Sequence, residues 1–222
     1  MKKYCMNCIY HTLKGNDILY KEGDKIFLDG DKLTSVYLIS EGFVKVCKTF
    51  QNGEERIFDI LSTNDFIGLV VALREDKNYI ASAYALNDVK VKQILVEDVL
   101  TVFHSNESFK DMCFKCTVTR TNLFQSHLFN TTSAHLEDKI MIILEHLTKK
   151  FGTYSNGEYI LDLPISKTTL ASIIGVRRET LSRKLSKMQD LGIIKMDKNK
   201  YTFDRMWLIS HTIIFSYVIM KV

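Results

Sequence analysis

The sequence predicts an α+β chain: an antiparallel β half, a helical middle and a winged helix-turn-helix near the C-terminus. Three observations predict it. Residues 15–104 carry short apolar runs punctuated by glycines at 15, 23, 30, 42, 53 and 68, as an antiparallel barrel or sandwich requires. From residue 106 the apolar residues change to helical spacing. Between Ile165 and Ile194 two short helical patterns flank Gly175, which is how a helix-turn-helix looks in sequence.

In the β half, residues 36–47 read as two short strands around the turn Glu41-Gly42. Gln51-Asn52-Gly53-Glu54 is a hairpin signal, because Asn-Gly accepts positive φ at both central positions. Residues 57–61 continue as strand, residues 64–68 turn, and residues 80–95 supply further strands around Asn87-Asp88.

In the middle, Val99, Leu100 and Phe103 mark a short helix, and a longer pattern runs from Asn106 to about Asn130. Phe109, Cys113, Cys116 and Leu123 form a near-heptad stripe on it, interrupted by Arg120. The next helix carries Leu136, Ile140, Ile143, Leu144 and Leu147 on one face and ends at Gly152.

The helix-turn-helix is legible residue by residue. Leu170, Ile173 and Ile174 make the buried stripe of the first helix, with Ser166 as its N-cap. Gly175 sits where the turn needs positive φ. Leu181, Leu185 and Met188 repeat at i, i+4, i+7 in the second helix, and Gly192 ends it. Arg178, Glu179, Ser182 and Arg183 then project from the opposite face. Arginine can donate twice to guanine O6 and N7, and a carboxylate can accept from the cytosine N4 amine, so a Glu among arginines suits base reading better than charge attraction alone. Residues 193–196 and 200–203 bracket a hairpin, the wing. Lys167, Thr168, Arg177, Lys187, Lys198 and Lys200 are the expected phosphate contacts, which add affinity and salt dependence without sequence choice.

Charge agrees. The chain carries a net charge of only +4, yet residues 163–205 hold ten Lys/Arg against four Asp/Glu, net +6, leaving −2 for the rest. Such a concentration is the footprint of phosphate binding. Dimerisation fits this reading, because two recognition helices must reach two half-sites about one duplex turn apart.

Gly175 followed by Arg178-Glu179-Thr180-Leu181-Ser182-Arg183 resembles the recognition helix of the Crp/Fnr regulators, the cyclic-AMP receptor protein and fumarate-nitrate regulator group. The resemblance implies that Glu179 and Arg183 read bases of a palindromic half-site with a TGA-like core. Arg178 matches a base-contacting arginine of one branch and Ser182 a base-contacting serine of the other. Arg177 stands where that family places a capping Ser or Thr. The resemblance also implies that the β half is a double-stranded β-roll, a cupin-like jelly roll that senses an effector, and that the stripe of Phe109, Cys113, Cys116 and Leu123 is the dimer interface. The implied organisation is a Cys-containing segment at 1–15, a β-roll at 16–105, a dimerisation helix at 106–131, a winged helix-turn-helix at 132–205 and an apolar tail at 206–222. RNA polymerase is an implied partner if the protein activates.

In cyclic-nucleotide members of that family a Gly-Glu pair holds the ribose and an Arg-Ser/Thr-Ala cassette the phosphate. Here Leu69 follows Gly68, and Tyr79 or Ile80 stands in the arginine's place ahead of Ala81-Ser82-Ala83. A buried phosphate without a cation would be badly desolvated, so no cyclic nucleotide is expected.

Cys5-x2-Cys8 has spacing that suits two ligands of a metal or iron–sulfur cluster, and equally fits free or redox-active thiols in a loose terminus. The Fnr branch carries its oxygen-sensing cluster on three N-terminal cysteines and a distant fourth, and that fourth position falls near Val91 here. Cys113 and Cys116 form a second pair, and Cys47 reads as structural. The alternative function is therefore a metal- or iron–sulfur-dependent redox protein with an incidental nucleic-acid-binding domain. No Ser/His/Asp spacing, HExxH or glycine-rich phosphate loop occurs, so no catalysis is expected. The N-terminus lacks a signal-peptide core and the five cysteines are an odd number, which points to the cytoplasm. The apolar tail is interrupted by Ser, His and Thr and reads as a packed terminal element rather than a membrane anchor.

Overall fold

The computed structural model describes residues 13–74, 77–133 and 135–204, apart from the side chains of residues 122–133 and 204. Cys5, Cys8 and the apolar tail lie outside the described residues. The chain divides into two compact units, Met1–Leu128 and Phe129–Val222.

The first unit contains strands β1 (Asn16–Tyr20), β2 (Lys25–Phe27), β3 (Ser35–Glu41), β4 (Phe43–Thr49), β5 (Glu55–Ser62) and β6 (Phe66–Ile67), then α1 (Leu69–Ala72), β7 (Ser82–Ala85) and β8 (Val89–Leu95). Two four-stranded antiparallel sheets result, in orders β1-β8-β3-β6 and β2-β7-β4-β5. Consecutive strands repeatedly switch sheets, as a rolled double sheet demands.

Burial explains why β3 shows no polar alternation. Tyr37 and Ile39 join Phe27, Val44, Leu61, Tyr79 and Val91 in a core to which both sheets contribute. Val36 and Leu38 join Leu69, Ile94 and Val99 in a second core, so both faces of the strand are covered. The second core holds residues of α1, of α2 (Val96–Ser105) and of the start of α3 (Glu107–Ser133).

Two expectations are corrected here. The loop at Gln51–Glu54 is not a two-residue turn: β4 and β5 are joined by five residues, Phe50 N–H donates to the Glu54 carbonyl, and Gly53 alone takes positive φ. Asn52 acts instead through its side chain, whose Oδ1 accepts from Glu54 N–H.

The first two residues of the stripe on α3 face inward. Phe109 is 0% and Cys113 2% exposed, packed in the second core with Leu13 and Phe66, so neither is free to form a dimer interface. Phe109 meets Phe66 edge to face, with ring centroids 6.1 Å apart. Arg120, which breaks the stripe, donates to the Phe66 carbonyl at 2.9 Å and ties α3 to β6. Cys116 is half-buried and the Leu123 side chain is not described. Among the described side chains, the apolar residues that α3 leaves exposed are Phe114 and Val118, 71% and 41% exposed and one turn apart.

The second unit contains α4 (Leu136–Phe151), β9 (Thr153–Ser155), β10 (Glu158–Asp162), α5 (Lys167–Ile174), α6 (Arg178–Asp190), β11 (Lys195–Asp197) and β12 (Lys200–Asp204). Its strands form one antiparallel sheet in the order β11-β12-β10-β9. Ile140, Leu144 and Leu147 of α4, Leu170 and Ile174 of α5, and Tyr201 and Phe203 of β12 are all buried. The β9–β10 hairpin turns at Asn156-Gly157: both residues take positive φ, 52° and 85°, between paired Ser155 and Glu158. Gly152 ends α4 because of space rather than φ, since a Cβ there would lie 2.5 Å from the Thr148 carbonyl oxygen.

Candidate nucleic-acid interface

Helix α5 starts as its sequence dictates. The Ser166 Oγ accepts from Thr169 N–H at 3.1 Å, satisfying one of the donors that a helix start leaves free. Gly175 closes it in the left-handed region, φ 83°, while Gly175 and Val176 N–H both donate to the Ala171 carbonyl. That residue turns the chain sharply into α6, and a Cβ would strain it by about 1–2 kcal/mol. Arg177 occupies the N-cap position of α6 in extended backbone and makes no side-chain cap, as its lack of an acceptor requires.

Leu181, Leu185 and Met188 are buried at 0–1% exposure and hold α6 from beneath. Arg177, Arg178, Glu179, Arg183, Ser186, Lys187 and Gln189 are exposed, and Ser182 is half-buried. Of the four residues expected to read bases, three are therefore open to solvent on α6, with Ser182 the most enclosed.

Beside them runs an open groove of about 400 Å³ lined by Ser166, Lys167, Thr168, Arg178, Ser186, Gln189, Met196, Lys198 and Asn199. It brings together three expected phosphate contacts, Lys167, Thr168 and Lys198, with the base-reading candidate Arg178. Arg177, Lys187 and Lys200 do not line it, though all three are exposed. Lys198 forms the wing tip with Asn199 and takes φ 52°, a conformation that costs a lysine roughly 1–2 kcal/mol. A glycine or asparagine would hold that turn more easily, so the lysine there points to a task other than turning.

Not every basic residue of this unit is available. Lys195 pairs with Glu158 at 2.6 Å, and Lys184 on α6 pairs with Glu137 on α4. Both acidic partners lie outside the stretch 163–205, and local spacing gave no signal for either.

In the first unit, Tyr79 and Ser82, from the segment expected where the family has its phosphate cassette, are engaged within the protein. Tyr79 is buried, donates to the Ser35 carbonyl at 2.6 Å and stacks on Phe27 with centroids 3.7 Å apart. Gly68 leaves room for it, since a Cβ would lie 3.2 Å from Tyr79 Cε1. The Ser82 hydroxyl accepts from Asp29 N–H. Burial raises the Tyr79 phenol well above its ordinary pKa.

Cys47 is buried with its thiol 3.3 Å from Glu55 Oε2, and burial together with that carboxylate pushes its pKa up to about 12. Burial beside Cys116 pushes Cys113 up to about 12 as well. A thiol so raised keeps its proton at neutral pH, and the thiol is not the nucleophilic or metal-binding form. Among the described residues no group of three or more His, Cys, Asp or Glu can hold a metal ion, and no helix is long and apolar enough to cross a membrane.

Residues 18–106 match the cyclic nucleotide-binding domain family and residues 140–206 the Crp-like helix-turn-helix domain family. The chain is 26% identical to the global nitrogen regulator of Synechococcus elongatus over 188 residues, covering 82% of this chain and 83% of that one. It is 21% identical over 174 residues to the anaerobic regulatory protein of Bacillus subtilis, covering 78% and 73%. Among solved structures it resembles FixK2 from Bradyrhizobium japonicum, with TM-score 0.78 and 18% identity over 89% of this chain and 97% of that one. A CooA variant from Carboxydothermus hydrogenoformans gives TM-score 0.74 at 14% identity, over 92% and 88%.

Proposed function

Since the chain belongs to the Crp/Fnr family of DNA-binding transcriptional regulators, we propose that it binds a palindromic operator as a homodimer and reads each half-site with Arg178, Glu179, Ser182 and Arg183. The observation that carries this reading is α6 itself: an apolar stripe fully buried, with two arginines and a glutamate of the same helix left exposed. Charged residues on a helix presented at a turn of positive φ suit the major groove, where bidentate arginine and carboxylate contacts distinguish base pairs.

Lys167, Thr168 and Lys198 grip the adjoining phosphate run, and Arg177, Lys187 and Lys200 extend that contact. The groove beside Arg178 supports the first three. The homodimer forms through the face of α3 that carries Phe114 and Val118, a pair of neighbouring apolar side chains that the chain's own core does not use. If the protein activates, RNA polymerase is the further partner.

Its signal is not a cyclic nucleotide. Tyr79 or Ile80 stands where the family's cassette arginine would, and Tyr79-Ile80-Ala81-Ser82-Ala83 contains no cation to neutralise a phosphate. A redox signal acting on Cys5 and Cys8 fits the thiol spacing, with a metal or iron–sulfur cluster as the group those two residues would help to hold. Both relatives named above are regulators, which favours regulation over a redox enzyme. This regulator would work in the cytoplasm, where its DNA lies.

Selection of bound duplexes from a random pool tests the reading. Wild type should return a palindrome with two equal half-sites, and Arg183→Ala or Glu179→Ala should each relax the choice at one base pair per half-site, at a cost of about 1–3 kcal/mol. Unchanged selectivity in both variants would remove these residues as readers. Calorimetry with cyclic AMP should give no heat at micromolar protein.

A further inference from the structure

Lys184 follows Arg183, which is exposed, and precedes Leu185, which is buried, so it leaves α6 on its flank. Its ammonium donates to Glu137 Oε1 in the first turn of α4. Lys184 is 24% and Glu137 40% exposed at the side chain, so water screens the pair only in part. The carboxyl of Glu137 is held below the usual range, first by this hydrogen bond and then by backbone N–H at its own helix start.

Among the described residues the other anchors of α6 are apolar. Leu181, Leu185 and Met188 fix how deeply the helix sits and which face is buried, but apolar contact is non-directional and leaves the last few degrees of rotation less sharply set. A charge-assisted hydrogen bond reaching across from a second helix is directional. Readers of bases tolerate only about 10–20° of misorientation before their geometry is lost.

Resting on the regulator reading above, we propose that the Glu137–Lys184 pair is the positioning contact that fixes the rotation of α6 and so aims Arg178, Glu179 and Arg183, and that Lys184 makes no phosphate contact although it is a lysine on the recognition helix. Glu137 acts from α4, a helix other than the two that flank the Gly175 turn, which makes it a specificity determinant that never touches DNA.

The sign of one substitution separates this from simple electrostatics. Glu137→Gln removes an acidic residue from a DNA-binding unit, which by charge alone should tighten binding to any duplex. Loss of aim should instead weaken binding to the operator alone.

The test uses the full chain, with fluorescence anisotropy on the operator selected from a random pool and on a scrambled duplex, over a range of salt. Glu137→Gln should lose about five-fold on the operator and nothing on the scrambled duplex. Lys184→Met should lose as much, with an unchanged slope of log affinity against log salt. The reversed pair, Glu137→Lys with Lys184→Glu, should recover operator selectivity relative to either single change. Melting temperatures should move little, because a partly exposed pair contributes little to folding. Equal or tighter operator binding by Glu137→Gln overturns the proposal. So does a fall of about one in the salt slope of Lys184→Met, which marks a phosphate contact. If wild type prefers no sequence, the regulator reading fails and this inference with it; if wild type is selective and Glu137→Gln is indifferent, this inference alone fails.

Discussion

The Tyr79 hydroxyl donates a 2.6 Å hydrogen bond to the Ser35 carbonyl, and its ring lies nearly parallel to that of Phe27, 9° apart. These contacts tie the segment after α1 to β2 and β3 in the roll's core. Tyr79→Phe keeps the ring and removes the donor, so it should cost about 1–3 kcal/mol with a lower melting temperature for the first unit. It should leave operator selectivity unchanged. No fall in melting temperature would mean that the hydroxyl is idle.

Lys198 carries backbone strain at the wing tip, and strain and function can be separated there. Lys198→Asn should leave stability equal or raise it by up to about 1 kcal/mol, because asparagine tolerates the left-handed region. The same variant should weaken binding to operator and scrambled duplex alike and lower the salt slope by about one. A change confined to the operator would make Lys198 a base reader instead.

Phe114→Asp places a charge on the exposed apolar face of α3 without touching the core that Phe109 and Cys113 fill. Sedimentation should show monomers, and affinity for a full palindrome should fall toward that for a half-site. A dimer that survives Phe114→Asp and Val118→Asp together would place the interface elsewhere.

The thiols divide by burial. Cys47 and Cys113, both pushed up to about 12, should resist iodoacetamide at pH 8 in the native protein, whereas half-exposed Cys116 should react, as read by peptide mass mapping. Raised folded values mean that the native state holds these protons more tightly than the unfolded chain. Their contribution to stability is therefore complete below the unfolded thiol range, near 8.5–9, and is lost as pH rises toward 12. Melting temperature that fails to drop between pH 9 and 11 in wild type relative to Cys47→Ala would contradict the assignment.

Much of the fold is written locally. Gly42, Gly175 and Gly192 mark turns because each backbone there needs positive φ, and that requirement shows at single-residue level. The stripe of Leu181, Leu185 and Met188 is spaced by the helix period and packs as spaced. Asn156-Gly157 carried the same kind of signal for β9–β10, while Asn52-Gly53, an identical dipeptide, sits in a longer loop. A dipeptide states what φ it permits, and the strands on either side select the turn that closes.

By itself the sequence determined the β half, the helix lengths, the helix-turn-helix with its exposed Arg178, Glu179 and Arg183, and the missing cation at Tyr79, because each rests on residues within a few positions of one another. Only the tertiary structure decided which face of α3 is spent on the roll. Phe109 and Cys113 repeat at helical spacing whether they meet a partner subunit or the chain's own Phe66, and periodicity cannot say which. It also decided that Lys184 belongs to Glu137, 47 residues away. Helical period reports which side chains share a face; what covers that face depends on contacts between distant parts of the chain, and the backbone path that creates them is visible only once the chain has folded.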